Sequence, residues 1–152
     1  MLNPRTTASL SEVRKLVFGE KLWEEKGKIM GFSIKSAGPE GMHMEQSFAS
    51  VAKGFGRFPN GTNVGTMDVV MASDGGYSGS GQGFYTSQDG DALTWKIHFF
   101  GRMEASKGQS FAIIKFWTAS QKLAWVNKIV VAMEGTVDAK TMELSTTGYE
   151  CK

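Results

Sequence analysis

Segments rich in Thr, Val, Ile, Ser and aromatic residues recur along the chain from residue 20 onward, and turn-forming residues separate them. The first group of residue types favours β-strands, whereas Gly, Pro, Asn and Asp favour the tight turns of hairpins. The pattern predicts strands over residues 26–37, 42–54, 62–73, 77–87, 91–104, 109–119, 128–137 and 141–151. The longer connection 120–127 lacks Gly and Pro, which favours a helical turn over one rim of the sheet.

Consecutive hairpins in a meander leave two exposed sheet edges, and closing the sheet removes both. We therefore predict an all-β, closed antiparallel barrel of about eight strands, with a two-sheet sandwich as the alternative. Gly79, Gly81 and Gly83 support closure because they put three missing side chains on one face of one strand. One domain is expected, with an N-terminal segment 1–19 that includes a short helix over residues 9–18, and a barrel over residues 20–152.

Composition and charge argue against several functional classes. The chain has 152 residues, and its 17 basic and 15 acidic side chains give a net charge of +2, too small to attract nucleic acid or an anionic membrane. No apolar run approaches the length of a membrane-spanning helix. The single cysteine, Cys151, and the absence of an apolar leader predict a cytoplasmic protein. The small net charge and the lack of a long apolar run predict that it binds neither nucleic acid nor membrane.

The segment from Met42 to Glu45 contains candidate copper ligands, since thioethers and imidazole suit Cu(I). On a strand, however, Met42 and Met44 point to one face while His43 and Glu45 point to the other, so the four cannot meet at one ion. The second histidine, His98, belongs to no cluster with metal-ligand spacing. We therefore expect no metal and no cofactor.

The strand predicted over residues 91–104 supplies the clearest candidates for ligand contact. Its Leu93, Trp95, Ile97 and Phe99 share one apolar face, which is expected to point inward. A barrel of about eight strands is either filled by side chains or holds one small ligand. Aromatic groups for apolar contact and a few polar groups for orientation are typical of such sites, and the predicted ligand-binding residues are Trp95, Phe99, Trp117, Gln82 and Tyr85.

Two ionisable residues interrupt apolar runs, Lys115 in FAIIKFW and Glu134 in VVAMEG. Burial in an apolar site tunes such groups for proton transfer near neutral pH, so both are candidate catalytic residues. The alternative is that each faces solvent or pairs across strands. The same two strands carry apolar residues on both faces, which predicts a subunit interface or a docking surface for the N-terminal helix, and we expect a homodimer or homotrimer.

The register of the last hairpin is predicted from charge. A turn at residues 138–140 pairs Glu134 with Leu144 and Lys128 with Glu150, and a slip by one residue sets Glu134 opposite Glu143.

The strand DALTWKIHFFGR, the hairpin MEGTVDAKTMEL and the G-x-V-D turn at residues 135–138 resemble those of the allene oxide cyclase-like barrel superfamily, chiefly its small uncharacterised bacterial and archaeal members. The likeness covers about residues 20–152. It implies an oligomeric barrel, and it implies a relationship to cyclases of lipid epoxides and polyketides, which shape their substrates in an apolar cavity. None of their catalytic residues is carried over to this chain.

Three functions are compatible with these observations. The leading one is a barrel that binds a small apolar or aromatic molecule in its interior. The second is a cofactor-free cyclase or isomerase, which requires an inward ionisable residue in the cavity. The third is a solid-core oligomeric interaction protein that works through the outer faces of its sixth and seventh strands.

Overall fold

A computed structural model describes residues 18–152, and in these residues eight antiparallel strands close into one barrel in chain order. The strands are β1 (Phe18–Gly38), β2 (Gly41–Gly54), β3 (Gly61–Ala72), β4 (Gly76–Ser87), β5 (Ala92–Glu104), β6 (Lys107–Trp117), β7 (Val131–Asp138) and β8 (Glu143–Cys151). The predicted closed all-β barrel is confirmed. A 3-10 helix (Ala124–Lys128) lies in the β6–β7 connection, where the sequence predicts a helical turn. The helix predicted over residues 9–18 lies outside the described residues except for Phe18, which begins β1.

Strand β1 begins at Phe18 and not at residue 26 as the pattern predicts. Its first half, residues 18–28, pairs with β8 on one side and with β2 on the other, which closes the barrel. This half contains six charged side chains, and all of them except Glu25 are exposed. The outward positions of a barrel strand tolerate charge. The many charged residues of this segment therefore do not indicate a strand in the sequence, although the segment forms one.

The inward face of β5 is the predicted one, since Leu93, Trp95, Ile97 and Phe99 are all buried. Each of three consecutive inward positions on β5 has a glycine as its partner on β4, and the pairs are Phe99 with Gly79, Ile97 with Gly81, and Trp95 with Gly83. A Cβ atom on Gly83 would lie 2.5 Å from Cζ2 of Trp95. The glycines therefore allow large side chains to pack against the barrel wall and leave space along the barrel axis.

Apolar side chains close one end of the barrel. Phe58, from the β2–β3 connection, packs at ring-centroid distances of 5.2 Å from Trp23 and 5.3 Å from Tyr85. Leu123 and Val126, from the β6–β7 connection, are buried in the same core cluster. The opposite end holds the four tight hairpin turns, β1–β2, β3–β4, β5–β6 and β7–β8, and no connection crosses it within the described residues.

Strand β1 reaches past the rest of the barrel at the hairpin-turn end. It pairs with β8 only as far as Lys28, whereas its pairing with β2 continues to Gly38. The register shifts between Ile29 and Gly31, so that Phe32 points to the same side as Ile29. A β-bulge changes the direction of later side chains in this way, and here it keeps apolar groups facing the interior.

The predicted register of the last hairpin is wrong. Glu134 pairs with Thr147, and Glu150 pairs with Val131. The turn is longer than predicted and ends at Met142, which has a positive φ of 63°. The observed register puts Leu144 opposite Val137 on the inner face, whereas the predicted one points Leu144 outward. Burial of one leucine outweighs an exposed charge pair, which contributes only some tenths of a kcal/mol.

Candidate ligand cavity

The barrel is hollow. Its interior contains a cavity of about 610 Å³ that reaches from the closed end to the hairpin-turn end. Most of its lining side chains are apolar, and Glu25 is the one charged group among the described residues that line it. A volume of this size is within the usual range of small-molecule sites, about 300–1,000 Å³.

Glu25 points into the barrel and is only 6% exposed. Its Oε1 accepts a hydrogen bond from Oγ1 of Thr146 at 2.7 Å, and its Oε2 accepts from Oγ of Ser50 at 2.6 Å and from Nδ2 of Asn63 at 2.9 Å. The donors come from β8, β2 and β3, so the carboxyl group links strands on two sides of β1. Three neutral donors hold its position.

Two indole groups orient this network. Nε1 of Trp23 donates to Oγ1 of Thr146 at 3.0 Å, and Nε1 of Trp95 donates to Oδ1 of Asn63 at 2.8 Å. An indole N–H only donates, so Thr146 must use its own proton on Glu25, and Asn63 must turn its amide N–H towards Glu25. Both oxygens of Glu25 therefore accept hydrogen bonds from donors whose direction is fixed, Thr146 on Oε1 and Asn63 on Oε2.

Two tyrosines line the cavity at different depths. The hydroxyl of Tyr85 donates to the main-chain oxygen of Pro59 at 2.7 Å. Burial, and next the negative charge of Glu25, raise the pKa of Tyr85 well above its usual value. Burial also raises the pKa of Tyr77, against the smaller effect of a hydrogen bond with Ser110. Both phenols are therefore neutral at physiological pH and serve as polar contacts rather than as charges.

Methionine side chains form much of the cavity wall. Seven of the nine methionines in the sequence line it. Each of the four hairpins contributes one of them near the open end, and these are Met42, Met71, Met103 and Met142. Methionine is unbranched and polarisable, so a methionine-lined opening adapts to the shape of an apolar molecule.

Three of the predicted ligand-binding residues lie together in the cavity wall: Trp95, Phe99 and Tyr85. The other two lie on the outer surface. Gln82 is exposed, and Trp117 is 44% exposed. Neither is among the cavity-lining residues.

Lys115 and Glu134, the predicted catalytic residues, are also on the outer side of the wall. The ammonium group of Lys115 donates to the main-chain oxygens of Asn127 at 2.6 Å and Ile129 at 3.1 Å. It thereby fixes the C-terminal end of the 3-10 helix. Glu134 is half-buried on the outward face of β7, beside Phe111 and Thr147. A catalytic role for either residue stays a prediction, and neither contributes to the cavity lining.

Sequence reasoning missed Glu25, Ser50, Asn63 and Thr146. Glu25 lies in the segment LWEEKGK, where neighbouring charges indicate a solvent-exposed segment. The available signal was the two-residue spacing of Trp23 and Glu25. This spacing puts both side chains on one face of a strand, but only if the strand begins before residue 26. The other three are single small polar residues within strands and carry no sequence signal of their own.

The predicted separation of the copper-type ligands is confirmed. Met42 and Met44 line the cavity, whereas His43 lies outside, with Nε2 2.7 Å from Oδ1 of Asp68. Within residues 18–152, no group of three or more His, Cys, Asp or Glu side chains has the arrangement of a metal site. No helix in the same residues is long and apolar enough to cross a lipid bilayer.

Comparison with known proteins relates this chain to other barrels. No protein-family model matches it, and no curated protein sequence matches it. A protein of unknown function from Clostridium acetobutylicum ATCC 824 superposes with a TM-score of 0.76 at 13% identity, covering 88% of this chain and 95% of that one. A β-barrel-like protein from Acinetobacter baumannii AYE superposes with a TM-score of 0.73 at 14% identity, covering 88% and 94%.

An enzyme from Penicillium herquei also has this architecture. It superposes with a TM-score of 0.67 at 16% identity, and the alignment covers 99% of this chain and 100% of that enzyme. Identities this low establish a shared fold and leave the function to be argued from the site itself.

Proposed function

We propose that this protein binds one small, largely apolar or aromatic molecule inside the barrel, with the Glu25 network as its polar contact. The observation that carries the proposal is a cavity of about 610 Å³ whose lining, among the described residues, holds a single charged group, Glu25. An apolar cavity with a few convergent polar groups is typical of small-molecule sites. The third possibility, a solid-core interaction protein, requires an interior without such a cavity.

Fluorescence of the cavity tryptophans tests the proposal. Trp23 and Trp95 border the cavity, so an aromatic ligand such as 2-naphthol should quench their emission and saturate at one molecule per chain. The matched variants are Val69→Phe and Val70→Phe. Val69 is 5% exposed and lines the cavity, whereas its neighbour Val70 is 51% exposed on the outer face.

The Val69→Phe variant should weaken binding because the added ring takes up cavity volume, and Val70→Phe should bind like the wild type. Equal effects of the two substitutions, or the absence of saturable quenching by a panel of neutral aromatic compounds, would contradict interior binding.

A second function is a cofactor-free cyclase or isomerase that works in the same cavity, as the resemblance to the allene oxide cyclase-like superfamily implies. The observation that favours it is a buried carboxyl group, Glu25, inside an apolar cavity, because a carboxyl group next to the substrate can act as the general acid or base of a proton transfer. The full-length likeness to the Penicillium herquei enzyme is consistent with this function. For any substrate found, Glu25→Gln should abolish turnover while binding remains.

A further inference from the structure

The charged lining of the cavity is negative only, within the described residues. Glu25 is the only charged side chain among the described residues that line the cavity, and all three of its hydrogen-bond donors, Ser50, Asn63 and Thr146, are neutral. We propose that the ligand is an amine, a small apolar or aromatic body carrying an ammonium group that forms an ion pair with Glu25. This inference rests on the proposed function and specifies the chemical class of its ligand.

The missing counter-charge is the first reason. Burying a carboxylate is costly unless it is paired, and neutral hydrogen bonds compensate only part of that cost. Within residues 18–152, the ion pairs join other groups, such as Lys21 with Glu24 and Lys122 with Asp89, and none includes Glu25. An entering ammonium group supplies a cation that residues 18–152 do not place beside Glu25, whereas a carboxylate ligand brings a second negative charge into the same apolar space.

The acceptor geometry of Glu25 is the second reason. A carboxylate offers about four lone-pair positions. Three are occupied, two on Oε2 by Ser50 and Asn63 and one on Oε1 by Thr146. Within residues 18–152, Oε1 therefore retains one acceptor position, which suits a single N–H donor from a ligand. The donors of Asn63 and Thr146 cannot reverse their direction, because each residue also accepts a hydrogen bond from an indole N–H. Trp95 donates to Asn63, and Trp23 donates to Thr146.

The aromatic surroundings are the third reason. Both indoles use their N–H groups in the Glu25 network, and their rings continue into the aromatic wall. Ring centroids are 5.2 Å apart for Trp23 and Phe58 and 5.9 Å apart for Phe48 and Trp95. Ring faces attract cations, most strongly those of tryptophan, so the same wall that accepts an apolar body also favours an ammonium group.

A matched series of ligands tests the inference by isothermal titration calorimetry at neutral pH. The probes are 2-naphthylmethylamine, 2-naphthylmethanol and 2-naphthoate, which share a ring system and differ in charge. The amine should bind at least about tenfold more tightly than the alcohol, because a charge-assisted hydrogen bond is roughly twice as strong as a neutral one. The carboxylate should bind most weakly.

Two neighbouring substitutions locate the effect. Glu25→Gln removes the charge and keeps the shape, so the amine should fall to the affinity of the alcohol, and the alcohol should change little. Glu24→Gln is the control because Glu24 is exposed and paired with Lys21 on the outer surface. It should leave all three affinities unchanged. If Glu25→Gln does not fold, the order of the three ligand affinities in the wild type still tests the inference.

The outcomes separate this inference from the proposed function. If the alcohol binds as tightly as the amine, and Val69→Phe weakens both, interior binding stands and the amine inference is overturned. If the amine is preferred equally by the wild type and by a folded Glu25→Gln variant, Glu25 is not its partner and the inference fails. If none of the three probes binds, the proposed function fails as well.

Discussion

Replacing Gly83 by alanine tests whether the cavity exists because glycines hold aromatic rings against the barrel wall. A Cβ at this position would lie 2.5 Å from Cζ2 of Trp95 and 2.7 Å from the Cα of Gly65, and it would also meet the main-chain oxygen of Val64. Real Cβ atoms do not come this close, and the main-chain atoms cannot move freely. The indole must therefore move towards the empty interior, and the strand backbone must also shift to relieve the contact with the main-chain oxygen of Val64.

Three contributions determine the expected cost. Overpacking a fitted site costs about 1–3 kcal/mol. Displacing the indole breaks its 2.8 Å hydrogen bond with Asn63, which adds about 0.5–1.5 kcal/mol. Replacing a strand glycine by alanine returns about 0.5–1 kcal/mol. Taken together, these contributions should make Gly83→Ala lower the free energy of unfolding by about 0.5–4 kcal/mol, with about 2 kcal/mol as the central value.

Urea unfolding followed by circular dichroism measures this change, and Gly31→Ala provides the control. Gly31 is also a strand glycine, but the nearest atom to its added Cβ would be Oγ of Ser47 at an ordinary 3.6 Å. This control should be as stable as the wild type or slightly more stable. Equal stability of the two variants would refute the explanation of how Trp95 is held.

The cavity wall, one turn carboxylate and the outer aromatic surface each give a further prediction. Trp95→Ala should lower the free energy of unfolding by about 2–3 kcal/mol in urea unfolding. This is less than the roughly 3–5 kcal/mol lost with a fully enclosed aromatic side chain, because one side of the ring already borders empty space. A larger loss would indicate a filled core. The hydrogen bond from the amide of Lys140 is the main cause that lowers the pKa of Asp138. The ionised carboxylate should stabilise the fold fully above the usual carboxyl pKa, and this stabilisation should be lost as the pH falls through the lowered pKa of Asp138. Asp138→Asn should therefore destabilise the protein at neutral pH and not in strong acid. A carbon-13 NMR titration that shows an unshifted pKa for Asp138 would contradict this. Phe100 and Phe111 pair across β5 and β6 and are 69% and 41% exposed. Because an exposed apolar patch of this kind marks an interaction surface, light scattering should give the mass of a dimer or trimer. A monomeric mass of 16.6 kDa would contradict an interface there.

The barrel was predictable because its determinants are local. Alternation along Leu93, Trp95, Ile97 and Phe99 gives the inward face of one strand, and turn residues give the hairpins. The glycines of β4 indicated close packing, and the structure identifies what packs against them, the side chains of Trp95, Ile97 and Phe99.

The cavity network was not predictable because its members are distant in the chain. Glu25 meets Thr146 only when β1 pairs with β8, a contact that closes the barrel and leaves no local pattern. Lys115 and Glu134 interrupt apolar runs, but their strands have apolar residues on both faces. An interruption in such a strand does not show which face it is on, and both side chains point outward.

An open barrel interior with Glu25 as its polar contact is the central claim. The most direct measurement is a crystal structure of the protein soaked with 4-iodobenzylamine, with the iodine located by anomalous scattering. We expect one strong iodine peak among the cavity-lining methionines and the amine within hydrogen-bond distance of Oε1 of Glu25. Iodine peaks confined to the outer aromatic surface at Phe100 and Phe111, with none inside the barrel, would contradict the claim.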